Sequence, residues 1–202
     1  STLANFDKNV QRSSQGYNEN DFIITYVGAH GTANGLSIVL DTAEQLLETK
    51  VCFLLVGDGM LKKQLVEERN RRNLTNEKFL KPVSKSEVFK IIAMSDMGAS
   101  ILTKNDTFKT VYSNKTFDYM SCAIPVLMLI DGVSRDLVVN ANCGSYVDPE
   151  NANEFSQVIR YHLENQKDLN RLGLNGYNYA KAHFDRHTLA HNYIKEIMKL
   201  LN

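Results

Sequence analysis

The sequence predicts an α/β fold in which a doubly wound parallel sheet is covered by helices on both faces. Three observations carry this prediction. Short apolar runs alternate with segments of helical apolar spacing through about residue 147. The apolar runs, such as VCFLLV at 51–56, are continuous, which is typical of parallel strands buried on both faces. A glycine-rich turn follows the first run, as in nucleotide-binding units of this architecture.

The elements follow in chain order. Residues 1–20 are polar with weak periodicity, so we expect a linker or domain edge and no folded start, and we assign 21–202 to one domain. We predict strands at 22–27, 51–56, 77–80, 96–103, 126–130 and 144–147. We predict helices at 36–47, 61–72, 85–94 and 116–122, a short one within 131–140, and three more at 154–163, 169–183 and 188–201. The result is a Rossmann-like sheet followed by C-terminal helices.

Composition narrows the class of protein. At 202 residues with 43% apolar residues, the chain is long enough for one good core. The formal net charge is +0, which disfavours a nucleic-acid binder because such proteins need a basic face. No apolar run approaches a membrane span, and no signal-peptide pattern opens the chain. The three cysteines, at 52, 122 and 143, lack metal-like spacing, so we expect buried free thiols in a reducing cytoplasm.

Two glycine-rich turns follow predicted strands, and the first offers a site for an anion. In the first, Gly28-Ala29-His30-Gly31 links a strand to a helix, where glycines let the backbone approach a phosphate closely. The same pattern also fits a simple tight turn. After the second strand, Gly57-Asp58-Gly59 forms another turn, in which we expect Asp58 to cap the next helix.

The most informative stretch begins at Ser113. Ser113 or Asn114 can cap the helix predicted from Thr116, and the free N–H groups and dipole of a helix N-terminus attract anions. Lys115 adds a full positive charge, and Asp118 on the first turn could accept hydrogen bonds from sugar hydroxyls. An ordinary capped helix would show the same pattern.

The segment SNKTFDYMSCAIPVL, residues 113–127, resembles the donor-binding loop and helix of GT-B glycosyltransferases of family 4 (group 1 type). The resemblance extends from about Phe22 to the C-terminus and covers the second, donor-binding half of such an enzyme. It implies that the chain has the fold of that C-terminal half. It also implies that the first half, which would hold the acceptor pocket and any general base, is not part of this sequence.

The resemblance implies a site for a nucleotide-sugar donor. Val83 and Lys81 follow the third strand, where the family holds the nucleobase, and Asp118 would hold the ribose. The residues that would bind the diphosphate are Gly28, His30, Gly31, Ser113, Asn114, Lys115 and Thr116. No catalytic residue is assigned, and no metal or cofactor is expected, since GT-B transfer is metal-independent.

Three positions depart from the family pattern. The family places an Arg and a Lys on the diphosphate where this chain has Ala29 and Asn34. It also places a Glu near the donor sugar where this chain has Thr110. Either Lys115 and backbone amides bind the phosphate alone, or donor binding is weak.

The expected function is therefore the donor-binding part of a hexosyl or related transferase that moves a sugar from a nucleotide diphosphate, with UDP the commonest base in the family. The acceptor would be a glycan or lipid-linked sugar in bacterial polysaccharide or lipopolysaccharide synthesis. The expected location is the cytoplasm or the inner face of the membrane, with peripheral membrane contact. This part alone would bind nucleotide without turnover. The alternative is a catalytically degenerate nucleotide-binding module. A response-regulator-like domain would need acidic residues after the first strand, and Gly28-Ala29-His30 offers none.

Overall fold

A computed structural model describes residues 6–200 of the chain. Residues 1–5 of the predicted linker, and residue 201 at the predicted end of the last helix, lie outside the described residues. The strands are β1 (Phe22–Val27), β2 (Val51–Val56), β3 (Glu77–Leu80), β4 (Met97–Ile101), β5 (Val126–Leu129) and β6 (Gly144–Tyr146). The α-helices are α1 (Lys8–Ser14), α2 (Ser37–Gln45), α3 (Lys62–Arg71), α4 (Lys85–Met94), α5 (Asn114–Ser121), α6 (Val133–Asn140), α7 (Ala152–Glu164), α8 (Leu169–Phe184) and α9 (Arg186–Leu200).

The six strands form one parallel sheet in the order β3-β2-β1-β4-β5-β6. The predicted doubly wound α/β fold is confirmed. Chain order reverses between β1 and β4, so the connections after these two strands diverge to opposite sides of the sheet. In such folds ligands bind in the crevice at this point, outside the carboxyl ends of the strands.

The core lies on both faces of the sheet. Phe22, Ile24 and Tyr26 of β1 face one layer, which α2 and α7 cover, while Ile23 faces the layer covered by α4. This alternation follows from the two-residue period of a strand. Both faces are apolar, which explains the continuous apolar runs in the sequence.

Tyr119 of α5 separates β1 from β4 at their carboxyl ends. The two strands pair only at Ile24–Met97 and Thr25–Gly98. Beyond these pairs, the buried Tyr119 hydroxyl accepts a hydrogen bond from the Val27 N–H at 3.1 Å and donates one to the Ala99 carbonyl at 3.1 Å. The hydroxyl satisfies backbone groups that would otherwise lack a partner in the core. It thereby opens the sheet edge where the crevice lies and anchors α5 beneath it.

The structure corrects the prediction that the chain has no folded start. α1 begins at Lys8, and Arg12 is 4% exposed. The Arg12 guanidinium donates to the carbonyls of Met94, Glu19 and Asp21 and to the Asp96 carboxylate. A polar segment thus folds because four of the five N–H groups of its buried guanidinium are hydrogen-bonded. Whether residues 1–20 also act as a linker stays a prediction.

Two predicted caps are wrong. Ser113 is the residue before α5, but its side chain makes no capping hydrogen bond, and α5 begins at Asn114 rather than at Thr116. Asp58 accepts a hydrogen bond from the Gly59 N–H at 2.8 Å and so closes its own turn, while α3 begins further on at Lys62. All three cysteines are free thiols, but only Cys143 is fully buried.

Candidate functional site

The loops after β1, β2 and β3 enclose a cleft of about 300 Å³ at the carboxyl edge of the sheet. Its lining is mostly apolar, with backbone from two glycine turns. The lining residues are Val27, Gly28, Ala29, Val56, Gly57, Asp58, Pro82, Val83 and Val88. A small apolar cleft with backbone groups at its rim is the usual form of a small-molecule site.

Gly28 begins the turn after β1 and borders this cleft. Its φ is +150°, a conformation that favours glycine, and its N–H donates to the Val56 carbonyl at 3.0 Å. A Cβ at this position would lie 3.1 Å from both the Lys115 Cε and the Tyr26 hydroxyl. Gly28 therefore lets the turn and the N-terminus of α5 approach each other closely.

The N-terminus of α5 presents free backbone donors. The Thr116 N–H already donates to the Ser113 carbonyl at 3.0 Å. For the N–H groups of Asn114 and Lys115, no acceptor lies within residues 6–200. Asn114 is exposed, so these donors lie at the surface, and together with the helix dipole they favour an anion.

Lys115 is the cation of this edge. Its side chain is half-buried, and its ammonium lies 4.6 Å from the centre of the Tyr26 ring. Across the described part of the chain, the Lys115 ammonium makes no ion pair and no hydrogen bond. Burial lowers its pKa to about 8, because removal from water disfavours the charged form. A desolvated cation without an acid partner is a strong candidate for binding an external anion.

His30 does not reach the cleft. Its side chain is fully buried, and neither ring nitrogen has a hydrogen-bond partner in the described structure. The backbone of His30 is also hydrogen-bonded. Its N–H donates to the backbone carbonyl of Asp58 at 2.9 Å, and its carbonyl accepts from the Leu61 N–H at 3.0 Å. Burial lowers the pKa of His30 to about 4. The predicted contact between His30 and a phosphate would therefore require the turn to move.

Three other residues predicted at the diphosphate already make hydrogen bonds within the protein. The buried Thr116 hydroxyl shares a 2.8 Å hydrogen bond with Ser100 of β4. The Gly31 N–H donates to the side-chain oxygen of Asn34 at 3.4 Å. Ser113 is buried, and its carbonyl holds the Thr116 N–H. Of the residues predicted at the diphosphate, Asn114 and Lys115 keep N–H groups without an acceptor within residues 6–200, and Gly28, whose own N–H donates to Val56, borders Lys115.

The other residues predicted to contact the donor do not all lie in the cleft. Val83 lines the cleft, whereas Lys81 lines a neighbouring cavity of about 580 Å³ between α3 and β3. Asp118 is half-buried and lies beyond the first turn of α5, not on it as predicted, because the helix begins two residues earlier, at Asn114. The Thr110 hydroxyl donates to its neighbour Thr107 at 2.9 Å. Among the residues described, no group of acidic, His and Cys side chains could hold a metal ion.

Tyr26 is the site residue that sequence reasoning missed. It lies 2% exposed beneath Lys115, and its hydroxyl donates to the Ala29 carbonyl at 2.8 Å. The available signal was a tyrosine near the end of an otherwise mostly aliphatic strand, two residues before a glycine turn. A buried tyrosine needs a partner for its hydroxyl, and in this position the turn supplies it.

Comparison with known proteins identifies the family of this sequence. The sequence pattern of the family "Glycosyl transferases group 1" matches residues 7–179. The chain belongs to the group 1 glycosyltransferases. No curated protein matches the sequence of this group 1 chain.

Solved structures agree with the fold. HepE from Anabaena in complex with UDP superposes with a TM-score of 0.84 at 21% identity, over 95% of this chain and 52% of HepE. Sucrose-phosphate synthase from Thermosynechococcus elongatus superposes with a TM-score of 0.81 at 18% identity, over 95% of this chain and 48% of the synthase. The C-terminal domain of the group 1 protein LpcC from Francisella tularensis gives 0.73 at 14% identity, over 89% and 94%.

The group 1 chain therefore spans about half the length of HepE and of sucrose-phosphate synthase. At these identities the likeness establishes the fold, which is the Rossmann-like α/β fold of GT-B C-terminal domains.

Proposed function

We propose that this chain is the donor-binding, C-terminal half of a family 4 GT-B glycosyltransferase. The observation that carries the proposal is the position of Lys115. This cation has no acid partner in the described structure, and it borders a glycine turn and two free N–H groups at the switch point of the sheet. A diphosphate there would gain both a charge and preformed hydrogen-bond donors.

The donor in this proposal is a UDP-sugar. Relatives of similar fold were solved with UDP and with UDP-glucose, which supports the choice of UDP and of a hexose. The nucleobase would lie in the cleft against Val83, and Asp118 would accept hydrogen bonds from the ribose. Lys81, in the adjoining cavity, would contact the base only after a change of rotamer.

The chemistry assigned to this half is stabilisation of the leaving group. Negative charge develops on the diphosphate as the bond to the sugar breaks, and preorganised donors lower the free energy of that transition state. Lys115 and the N–H groups of Asn114 and Lys115 would supply this stabilisation without a metal ion. The acceptor pocket and any general base would lie on another domain. The chain studied alone would therefore bind donor without transferring sugar.

The test is calorimetric titration of the chain with UDP-glucose. Lys115→Met should weaken binding by about ten- to a hundredfold, because a hydrogen bond to a charged group contributes about 1.5–3 kcal/mol. Lys109→Met is the matched control: it removes the same charge from the preceding segment, where the ammonium is already 2.8 Å from Asp106. Equal affinity in wild type and Lys115→Met would contradict the proposed site.

A second candidate is a nucleotide-binding module that has lost catalysis. Asn34 favours it, because this residue replaces a family lysine and its side chain is bonded to Gly31. Ala29 likewise offers no charge. Sugar transfer from UDP-glucose by the protein that includes an acceptor domain would exclude this candidate, whereas binding without transfer there would support it.

We also propose a setting in bacterial polysaccharide or lipopolysaccharide synthesis, in the cytoplasm with peripheral contact at the inner membrane face. WaaG, a glycosyltransferase involved in lipopolysaccharide biosynthesis, has a related fold, with a TM-score of 0.72 at 17% identity. Within residues 6–200 no helix combines the length and the apolar character needed to cross a bilayer. Altered surface glycans in a strain lacking the gene would support this setting, and an unchanged glycan profile would contradict it.

A further inference from the structure

We propose that Tyr26 is the positioning residue of this site: its ring holds the ammonium of Lys115, and its hydroxyl holds the turn at Ala29. A single side chain would then place both parts of the anion-binding surface. The inference deepens the proposed function, on which it rests for the identity of the anion.

The ring contact comes first. The Lys115 ammonium lies 4.6 Å from the centre of the Tyr26 ring, well inside the range of a cation–π interaction. Lysine has a long, flexible side chain, so an ammonium without an ion pair would sample many rotamers. Because no acidic group holds Lys115 in the described structure, the negatively polarised face of the ring fixes its position.

The hydroxyl makes the second contact. It donates to the Ala29 carbonyl at 2.8 Å, which fixes the turn that follows β1. The Tyr26 hydroxyl and the Lys115 Cε both lie 3.1 Å from the place a Cβ of Gly28 would take. Turn, ring and lysine therefore meet at one point, where an additional methyl group would fit only if a neighbouring side chain shifted.

The surroundings leave few other groups to act on Lys115. His30 lies 6.1 Å from the Tyr26 ring, centre to centre, and its low pKa of about 4 keeps it neutral near pH 7. Asp118 follows on the same helix. Tyr26 also belongs to the core below β1, so a purely structural role must be distinguished from positioning.

The experiment measures the Lys115 pKa by NMR in the free full chain, together with the affinity for UDP-glucose. In Tyr26→Leu we expect the Lys115 pKa to fall further by about one unit and the affinity to fall about tenfold, because the ring no longer stabilises the charge. In Tyr26→Phe we expect the pKa to stay near the wild-type value while affinity still falls, because the tether to Ala29 is lost. Phe53→Leu is the matched control, since it removes another buried aromatic ring of the same core cluster.

An unchanged Lys115 pKa in a folded Tyr26→Leu variant, or an equal shift in Phe53→Leu, would overturn the inference. If Tyr26→Leu does not fold, Tyr26→Met replaces it with a flexible apolar chain and the same expected shift. Full affinity in Tyr26→Phe would overturn the role of the hydroxyl. The Lys115 pKa is measured without ligand. Failure of the wild type to bind UDP-glucose would therefore refute the proposed function, while the pKa measurement would still test whether Tyr26 positions Lys115.

Discussion

Raising the pH should release the donor from this site, because the proposed binding cation is Lys115. Burial lowers the Lys115 pKa to about 8, and an anionic diphosphate favours the protonated form. Affinity is therefore full well below this pKa and is lost as the pH rises through it. The protonated fraction of the free protein falls from roughly nine-tenths near pH 7 to one-tenth near pH 9, so affinity should fall about tenfold.

The assay is a series of calorimetric titrations with UDP-glucose, whose diphosphate does not itself titrate in this range. Lys115→Arg is the control, because a guanidinium stays charged throughout and should give a flat profile. Near pH 8, titrations in buffers of different ionisation enthalpy should also show an uptake of about half a proton on binding.

Two results would refute this reasoning. A flat wild-type profile would mean that Lys115 does not contact the donor or that its pKa is not lowered. An equal fall in wild type and Lys115→Arg would assign the pH dependence to another group, such as the base of the ligand.

Three further changes test the supporting structure. Gly59→Ala places a methyl group 2.6 Å from the His30 backbone and should lower the melting temperature by about 2–10 °C. In the control Gly31→Ala the nearest atom is the Asn34 side-chain oxygen at 3.5 Å, so the melting temperature should change little. Tyr119→Phe leaves the half-buried Val27 N–H and the buried Ala99 carbonyl without this partner and should cost about 2 kcal/mol in urea denaturation. No loss would contradict the bridging role of Tyr119. Burial raises the pKa of Glu77 to about 7, so the free energy of unfolding of the wild type falls as the pH rises above about 4.5. Glu77→Gln should be more stable than wild type by up to about 3 kcal/mol near pH 8 and equally stable near pH 4. Parallel pH profiles of the two proteins would contradict this.

The fold could be predicted because its main signals are local. Each strand is a short apolar run, and each central helix has apolar residues at its own period, so the alternation alone indicates a doubly wound sheet. The predicted ends of strands and helices were less accurate where tertiary contacts determine them. β4 was predicted over 96–103 but spans Met97–Ile101, because the Thr103 N–H leaves the sheet to bond to the Ala33 carbonyl. α1 was missed because the sequence alone does not distinguish a buried, hydrogen-bonded Arg12 from a solvated arginine.

The site was predicted in part. Gly28 and Lys115 belong to motifs whose chemistry is visible in the sequence, and the structure brings them together. The burial of His30 could not be predicted, because it depends on the turn after β2, which is distant in sequence. Tyr26 was missed for the same reason, since a contact between a strand and a helix four elements later leaves no local pattern.

The burial of Lys115 has a consequence for the balance between stability and affinity. An ammonium group held away from water without an acid beside it destabilises the folded chain, so Lys115→Met should melt at a higher temperature than wild type even though it binds donor less well. Part of the dehydration of the cation, which usually opposes the binding of an anion, has already taken place when the chain folds. An arriving diphosphate would therefore meet a positive charge with fewer water molecules left to lose than a fully exposed ammonium has.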